Sequence, residues 1–539
     1  MAKWWQERVV YQIYPRSFAD TNGDGVGDIP GIIAHLDDIK DLGAGIIWLS
    51  PLYRSPDADN GYDISDYCDI DPKYGDMADM DRLIAEAQKR DIRLVMDLVI
   101  NHTSDQHAWF QQSRDKSSHY RDYYIWQPPK KNGGPPNNWM SLFGGSAWTL
   151  DEQSGEYYLH LFAKEQPDLN YRNPKVLEEI KNVMRFWLNK GISGFRCDVI
   201  NIIWKSSLAD SKRLIKGSEY YVSQEGCHEI LRTLRRDVLS RYDCFAVGET
   251  VFVTPEMGND LCDEDRGELD MIFSFEHMET DQYFVKWFPR RFDAGRFGRT
   301  VARWQTALEW NANYLENHDQ PRSVSRFGDD GQYWAESAKM LATMLLTLRG
   351  TPYLFEGQEI GMTNFDFASM EQLQDVESHN IYKLAAKLHL PKAYRWRMIK
   401  TKSRDNARTP MQWDASENGG FTTGTPWLGV NANHTRINVA AQKADPDSIR
   451  SYYKKLIALR ASSALLKYGT FKRVASDRHL FCYDRKDNGK TYRVLLNFGA
   501  KPRRVPCDGA VVISSYGRKS YDGVLQPWEG VVIDKETES

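Results

Sequence analysis

Gly194-Phe195-Arg196-Cys197-Asp198 is an apolar run that stops abruptly in a charge pair. One such stretch alone is equally well an Arg–Asp ion pair at a strand end. Three more stretches repeat the pattern: Asp97-Leu98-Val99-Ile100-Asn101-His102 upstream, then Val247-Gly248-Glu249 and Glu316-Asn317-His318-Asp319 downstream. Each leads an apolar strand into acid, amide or imidazole. Several strands that deliver polar groups at their C-terminal ends predict the active-site face of an α/β fold, the (β/α)8 TIM barrel.

Outward from these stretches, short apolar runs predict strands at 9–14, 45–49, 93–99, 192–197, 245–248, 269–273, 311–315 and 353–355. Helical periodicity covers 174–189 and the apolar stretch 335–349, which Gly350-Thr351-Pro352 ends. Eight strands with helices between them close most economically as one barrel, because parallel crossovers are right-handed.

Between 103 and 173 the rhythm stops and Trp, Tyr, Pro, Gly and Asn accumulate. An excursion of that length without its own helix predicts an inserted domain over the barrel mouth, carrying Phe143-Gly144-Gly145 and Gln166-Pro167-Asp168-Leu169-Asn170. A second, polar excursion over 361–429 is centred on Ser403-Arg404-Asp405-Asn406 and runs on to Trp413. A basic amphipathic helix at 448–465 closes the barrel, and short strands with turns such as Asp487-Asn488-Gly489 follow. The expected organisation is a barrel at 1–102 and 174–467, an inserted domain at 103–173 and a C-terminal antiparallel β domain at 468–539.

Composition narrows the function classes. With a net charge of −4 over 539 residues and only short basic clusters, nucleic-acid binding finds no support. No apolar stretch is long enough to span a bilayer, and Met1-Ala2-Lys3-Trp4-Trp5 lacks the apolar core of a signal peptide. Cysteines at 68, 197, 227, 244, 262, 482 and 507 form an odd set without CxxC pairs, which predicts a reduced, cytoplasmic chain. The expectation is a monomer acting on a small molecule.

The loop after the first strand places Asp20, Asn22 and Asp24 at alternate positions, then Gly25, Val26 and Asp28. These match positions one, three, five, six, seven and nine of an EF-hand loop, with Gly31 where the final Glu belongs. The reading is a structural Ca2+ held by Asp20, Asn22, Asp24, Asp28 and the Val26 carbonyl; the alternative is a solvated Asp/Gly turn.

Taken together, the stretches resemble the α-amylase superfamily, glycoside hydrolase family 13, along nearly the whole chain. The stretches at 97–102, 194–198, 248–249 and 317–319 are similar to its four ordered motifs, and 166–170 to its fifth. Those at 60–64 and 403–413 resemble its oligo-1,6-glucosidase and dextran glucosidase branch. The resemblance implies Asp198 as nucleophile, Glu249 as acid/base and Asp319 as the carboxylate favouring the oxocarbenium-like transition state. It also implies His102 and His318 as donors to sugar hydroxyls, Tyr62 as the ring under the first glucose, and Asp63 with Arg404 as the grip on its non-reducing end. Phe143, Gln166 and Arg196 complete the expected sugar-binding set, with Arg196 keeping Asp198 ionised. In this branch, Val at the place of Val199 accompanies α-1,6 preference.

The activity implied is a retaining, exo-acting α-glucosidase releasing terminal α-1,6-linked glucose from isomaltose and isomalto-oligosaccharides. Two alternatives share the fold. A sucrose isomerase would carry an Arg-Leu-Asp-Arg-Asp segment after strand six, whereas this chain has His277-Met278-Glu279-Thr280-Asp281-Gln282-Tyr283. A trehalose-6-phosphate hydrolase would need a phosphate grip, which the sequence does not locate. A non-catalytic sugar-binding or transporter-associated module would have lost catalytic carboxylates, and all three are kept.

Overall fold

The computed structural model describes residues 2–535. Eight parallel strands form its centre: Val10–Ile13 (β1), Ile46–Leu49 (β2), Arg93–Leu98 (β3), Gly194–Cys197 (β4), Phe245–Glu249 (β5), Met271–Phe273 (β6), Ala312–Asn313 (β7) and Thr351–Phe355 (β8). Their hydrogen-bonded order is β6-β5-β4-β3-β2-β1-β8-β7. At the remaining β6/β7 seam the Tyr314 hydroxyl donates to the Ser274 carbonyl at 3.0 Å, and its ring meets Phe273 edge-on.

The strands are mostly apolar and buried along their length because both of their faces are covered, which is what parallel sheets require. Register then sets the site. Asp97 on β3 stands beside Arg196 on β4, and Arg196 beside Val247 on β5, so the polar strand ends share one rim. Gly194 permits the close pairing: its φ is +150°, and a Cβ there would lie 2.2 Å from the Phe245 carbonyl oxygen.

The helix Pro174–Lys190 has Pro at its start, Asn173 capping the Lys175 N–H, and left-handed Gly191 ending it. It buries Val176, Ile180, Met184 and Trp187.

Residues 103–173 do contain a helix, Ala108–Ser113, where none was expected. Six residues are too few to show a period in sequence, and the His107 side chain caps them by accepting from Trp109 N–H. A three-stranded sheet of Trp126–Gln127, Trp148–Asp151 and Glu156–Leu159 follows. Trp139, Trp148, Leu159 and Leu161 pack with Val199, Ile202 and Tyr221 from the loop after β4, so this excursion sits against the barrel mouth.

The longer helices of the polar excursion after β8 are Val376–Lys387 and Lys392–Lys402. Met398 and Ile399 of the second pack with Phe367, Leu373 and Trp287.

The helix expected at 448–465 is divided into Ile449–Ser462 and Ala464–Tyr468, because Ser463 ends the first and caps the second. Strands Thr470–Asp477 (β9), Leu480–Asp487 (β10), Lys490–Asn497 (β11), Ala510–Ser514 (β12) and Gly530–Lys535 (β13) form an antiparallel sheet of order β9-β10-β11-β13-β12. Asn488 and Gly489, both at positive φ, turn β10 into β11. Among the described residues no helix is long and apolar enough to cross a membrane.

Candidate active site

Arg196 is buried at the end of β4, and three carboxylates surround it. Its Nη1 lies 2.6 Å from Asp198 Oδ1 and 3.3 Å from Asp97 Oδ1, while Nη2 pairs with Glu249 Oε2. Burial opposes the guanidinium charge, but Asp97, Tyr62 and Asp198 outweigh it and hold the pKa above its ordinary value. Arg196 therefore steadies both Asp198 and Glu249, where the sequence reading assigned it to Asp198 alone. Both carboxylates are nearly buried, at 7% and 8% exposure, so a reacting group meets them largely without water.

Asp97 is the base of the site. It accepts from Trp48 Nε1 at 3.2 Å and from the Tyr62 hydroxyl at 2.7 Å. Burial, reinforced by Asp198 and opposed by Arg196, pushes its carboxyl up to about 7. Through this bond it fixes Tyr62, whose ring stacks on His318 at 5.2 Å between centroids.

Asp319 is approached from two directions, by one imidazole and by two guanidinium groups. His318 Nε2 lies 3.0 Å from its Oδ2, while Arg408 and Arg404 lie 2.8 Å and 3.4 Å from its Oδ1. Burial works to raise its pKa, but His318, Arg404 and Arg408 together hold it well below the usual carboxylate range.

The sequence reading of the non-reducing-end grip needs correcting. Arg404 pairs with Asp59, at 3.0 Å, and with Asp375, at 2.8 Å, and not with Asp63. Asp57 and Asn60 both take left-handed φ, so the chain doubles back and Asp63 turns inward. There it accepts from Ala58 N, Asp59 N and Ser55 Oγ, and burial pushes it up to about 6. Asp63 ties the turn that presents Asp59.

The opposite wall comes from the insertion. His102 Nε2 is 3.1 Å from both the Tyr62 carbonyl and Gln166 Nε2, and Gln166 Nε2 is 3.3 Å from Asp59 Oδ2. Beneath them Lys205 Nζ bridges Asp168, at 2.6 Å, and Asn101, at 2.8 Å. Phe143, half-buried, lies 5.4 Å from the Arg404 guanidinium. Val199 is buried in the insertion's apolar cluster, at φ +36° and ψ +40°. That is a strained backbone for a β-branched residue, stored directly beside Asp198.

One contact network thus joins Asp198, Glu249, Arg196, Tyr62, His318, Asp319, Arg404, Phe143, Gln166 and His102. Asp59, Asp375, Arg408 and the role of Asp97 were missed from sequence. For Asp59 the signal was the acid four residues before Asp63; for Arg408 it was the second Arg of the 403–413 stretch.

In the loop after β1, Asp20 accepts from Asn22, Gly23 and Gly25 N–H, Asn22 from Asp24, and Asp24 from Val26. Asp28 accepts from Thr21 and caps the helix Ile29–Ala34 through Gly31 N–H. With the Val26 carbonyl the set is all oxygen, which suits a hard cation. The carboxylates themselves do not converge: among the described residues no three His, Cys, Asp or Glu side chains form a metal-holding group.

The model of the alpha-amylase catalytic domain matches residues 12–469. The chain belongs to the alpha-amylase family. It is 53% identical to an oligo-1,6-glucosidase of Parageobacillus thermoglucosidasius, over 98% of each chain. Among solved structures, a trehalose-6-phosphate hydrolase of Bacillus licheniformis superposes with TM-score 0.94 at 43% identity, covering 99% of this chain and 100% of that one. An isomaltulose synthase of Klebsiella sp. LX3 does so with TM-score 0.96 at 41% identity, covering 99% of each. Membership of the alpha-amylase family makes the protein a glycoside hydrolase.

Proposed function

We propose that the protein is a retaining, exo-acting oligo-1,6-glucosidase that removes terminal α-1,6-linked glucose from isomaltose and isomalto-oligosaccharides. The observation that carries this is Asp198 and Glu249 on two nitrogens of one guanidinium. Two carboxylates that share one guanidinium are close neighbours, and retaining enzymes use a pair of carboxyl groups about 5–5.5 Å apart, without room for a water between them.

In this reading Asp198 attacks the anomeric carbon, and Glu249 protonates the leaving oxygen and then activates water. Asp319, kept anionic by His318, Arg404 and Arg408, favours the positive charge that develops on the sugar ring. Tyr62 offers its ring to the glucose face, and His102 and His318 offer N–H groups to hydroxyls. Arg404 with Asp59, backed by Phe143 and Gln166, closes the pocket at the non-reducing end, so one glucose fits beyond the scissile bond. Val199 narrows the space for the leaving sugar, which favours an α-1,6 linkage with its extra rotatable bond.

Incubation with isomaltose, sucrose and trehalose 6-phosphate in parallel, reading glucose release, tests the assignment. Preferential release from isomaltose is expected, and the α anomer should appear first by NMR. Early β-glucose would rule out two displacements. The trehalose-6-phosphate reading is favoured by the solved structure named above; glucose release from trehalose 6-phosphate in preference to isomaltose would establish it.

Calcium in the 20–28 loop is proposed on the donor chemistry, in a structural role: it would tie Asp20, Asn22, Asp24, Val26 and Asp28 together away from the carboxylates that act on sugar. A cytoplasmic location is proposed as well, supported by seven cysteines without a disulfide.

A further inference from the structure

The His318 ring is fully buried, with Tyr62 stacked at 5.2 Å and 7°, Tyr14 stacked at 6.1 Å and 11°, and Trp48 edge-on at 6.0 Å. Its two nitrogens meet different chemistry. Nε2 lies 3.0 Å from Asp319 Oδ2, and Nδ1 lies 2.8 Å from the side-chain amide nitrogen of Gln12. Gln12 belongs to β1 and is itself buried, and the same amide nitrogen lies 3.2 Å from Ser50 Oγ, the residue after β2. An amide nitrogen has two N–H bonds and only donates. One N–H to Ser50 and one to the ring uses both, so Nδ1 accepts and the ring proton is left on Nε2, facing Asp319.

We propose that Gln12 is a positioning residue for the glycosidase reaction: it holds His318 as the neutral Nε2–H tautomer, so that an N–H stands beside Asp319 at the sugar pocket without adding a charge. The proposal rests on the reading of Asp319 as the transition-state carboxylate. A functional histidine more often has a carboxylate or carbonyl at its remote nitrogen, which keeps a proton there and favours the imidazolium. Gln12 reverses that polarity. Asp319 already faces Arg404 and Arg408, and a third full charge beside it would quench the anion that the oxocarbenium-like state needs. The charged or titratable groups around the ring are Asp319, Arg196, Arg408, Tyr14 and Tyr62. Burial foremost, then Arg196 and Arg408, lowers the basicity of His318 in the same sense, against the pull of Asp319.

Histidine-selective 15N NMR of the free enzyme reads the tautomer without substrate, with the His318 signals assigned by their loss in His318→Asn. An unprotonated Nδ1 and a protonated Nε2 are expected. Gln12→Glu keeps the size and turns the donor into an acceptor: both nitrogens should be protonated near neutral pH. On isomaltose its kcat should fall at least about tenfold at pH 7 with KM little changed, and fall further as pH rises through the raised imidazolium pKa, because the carboxylate keeps the Nδ1 proton and the Nε2 proton is the one lost. Gln12→Leu, which offers neither donor nor acceptor, should lose activity without that new ionisation. A wild-type proton on Nδ1, or a folded Gln12→Glu enzyme with the wild-type pH profile, overturns the proposal. If isomaltose is not a substrate at all, the glucosidase reading fails while the tautomer result still decides the role of Gln12.

Discussion

Arg404 pairs with Asp59 across 345 positions of sequence, 3.0 Å between Nη2 and Oδ1, and passes over Asp63 four residues further on. The two aspartates should therefore separate in experiment. Asp59→Asn should lower kcat/KM for isomaltose about 10- to 150-fold, the worth of a charged hydrogen bond of roughly 1.5–3 kcal/mol, with stability little changed. Asp63→Ala should instead cost about 1–3 kcal/mol of stability, because it leaves the half-buried Ala58 N–H and the buried Asp59 N–H without an acceptor. Thermal melts and steady-state kinetics on both variants check this; equal kinetic losses with equal melting points would restore Asp63 to the grip.

Asp198→Ala and Glu249→Gln should each abolish turnover, by about 10⁴-fold or more, which corresponds to roughly 5.4 kcal/mol of transition-state stabilisation. Each group stands at the barrel rim beside Arg196 and not in the apolar core, so circular dichroism should show folded protein. Near-normal hydrolysis by either folded variant would sink the assignment.

Val199 lies in the apolar cluster of the insertion at a left-handed φ. Its side chain can alter selectivity by the worth of about one methyl group, 1–3 kcal/mol or roughly 10- to 200-fold. Wild type should prefer isomaltose to maltose, and Val199→Ala and Val199→Thr should move the ratio toward maltose. A wild-type preference for maltose, or a ratio that neither substitution shifts, removes Val199 from the linkage argument.

Chelation should lower the melting temperature more than it lowers turnover, because the 20–28 loop is joined to the second excursion by Asp20 N–H to the Phe421 carbonyl and Trp427 N–H to the Gly25 carbonyl, not to the reacting carboxylates. Protein purified with calcium and found metal-free by elemental analysis would count against the site.

Lys402 is 2% exposed, and its Nζ lies 2.7 Å from Asp281, which also takes Arg326. Burial, then Arg326, push its ammonium down to about 7, against about 10.4 in an unfolded chain. With the folded pKa the lower one, this group favours the folded state fully only above about pH 10.4, and the advantage erodes as pH falls toward 7. Lys402→Met leaves Asp281 paired with Arg326 and removes the titration. The melting temperature of the variant, relative to wild type, should therefore rise between pH 10 and pH 7; a flat or opposite trend refutes the shift.

The eight strands, their order and the three carboxylates at strand ends were legible in the sequence. A buried parallel strand is an apolar run, and the residue that ends it must be polar if it faces the barrel mouth. These are local facts, written in consecutive residues. The family resemblance drew on the same stretches. Only the tertiary structure decided which acid Arg404 meets, that Arg196 serves Glu249 as well as Asp198, and that Gln12 addresses His318. The turn at 57–60 departs from any strand or helix period, so sequence spacing could not say whether Asp59 or Asp63 faces the pocket. Gln12 on β1 and His318 in the loop after β7 are 306 positions apart, and the direction of an amide across that gap is set by where two side chains end in space. Periodicity reports which face a residue takes; convergence of side chains from distant strands is a property of the closed barrel alone.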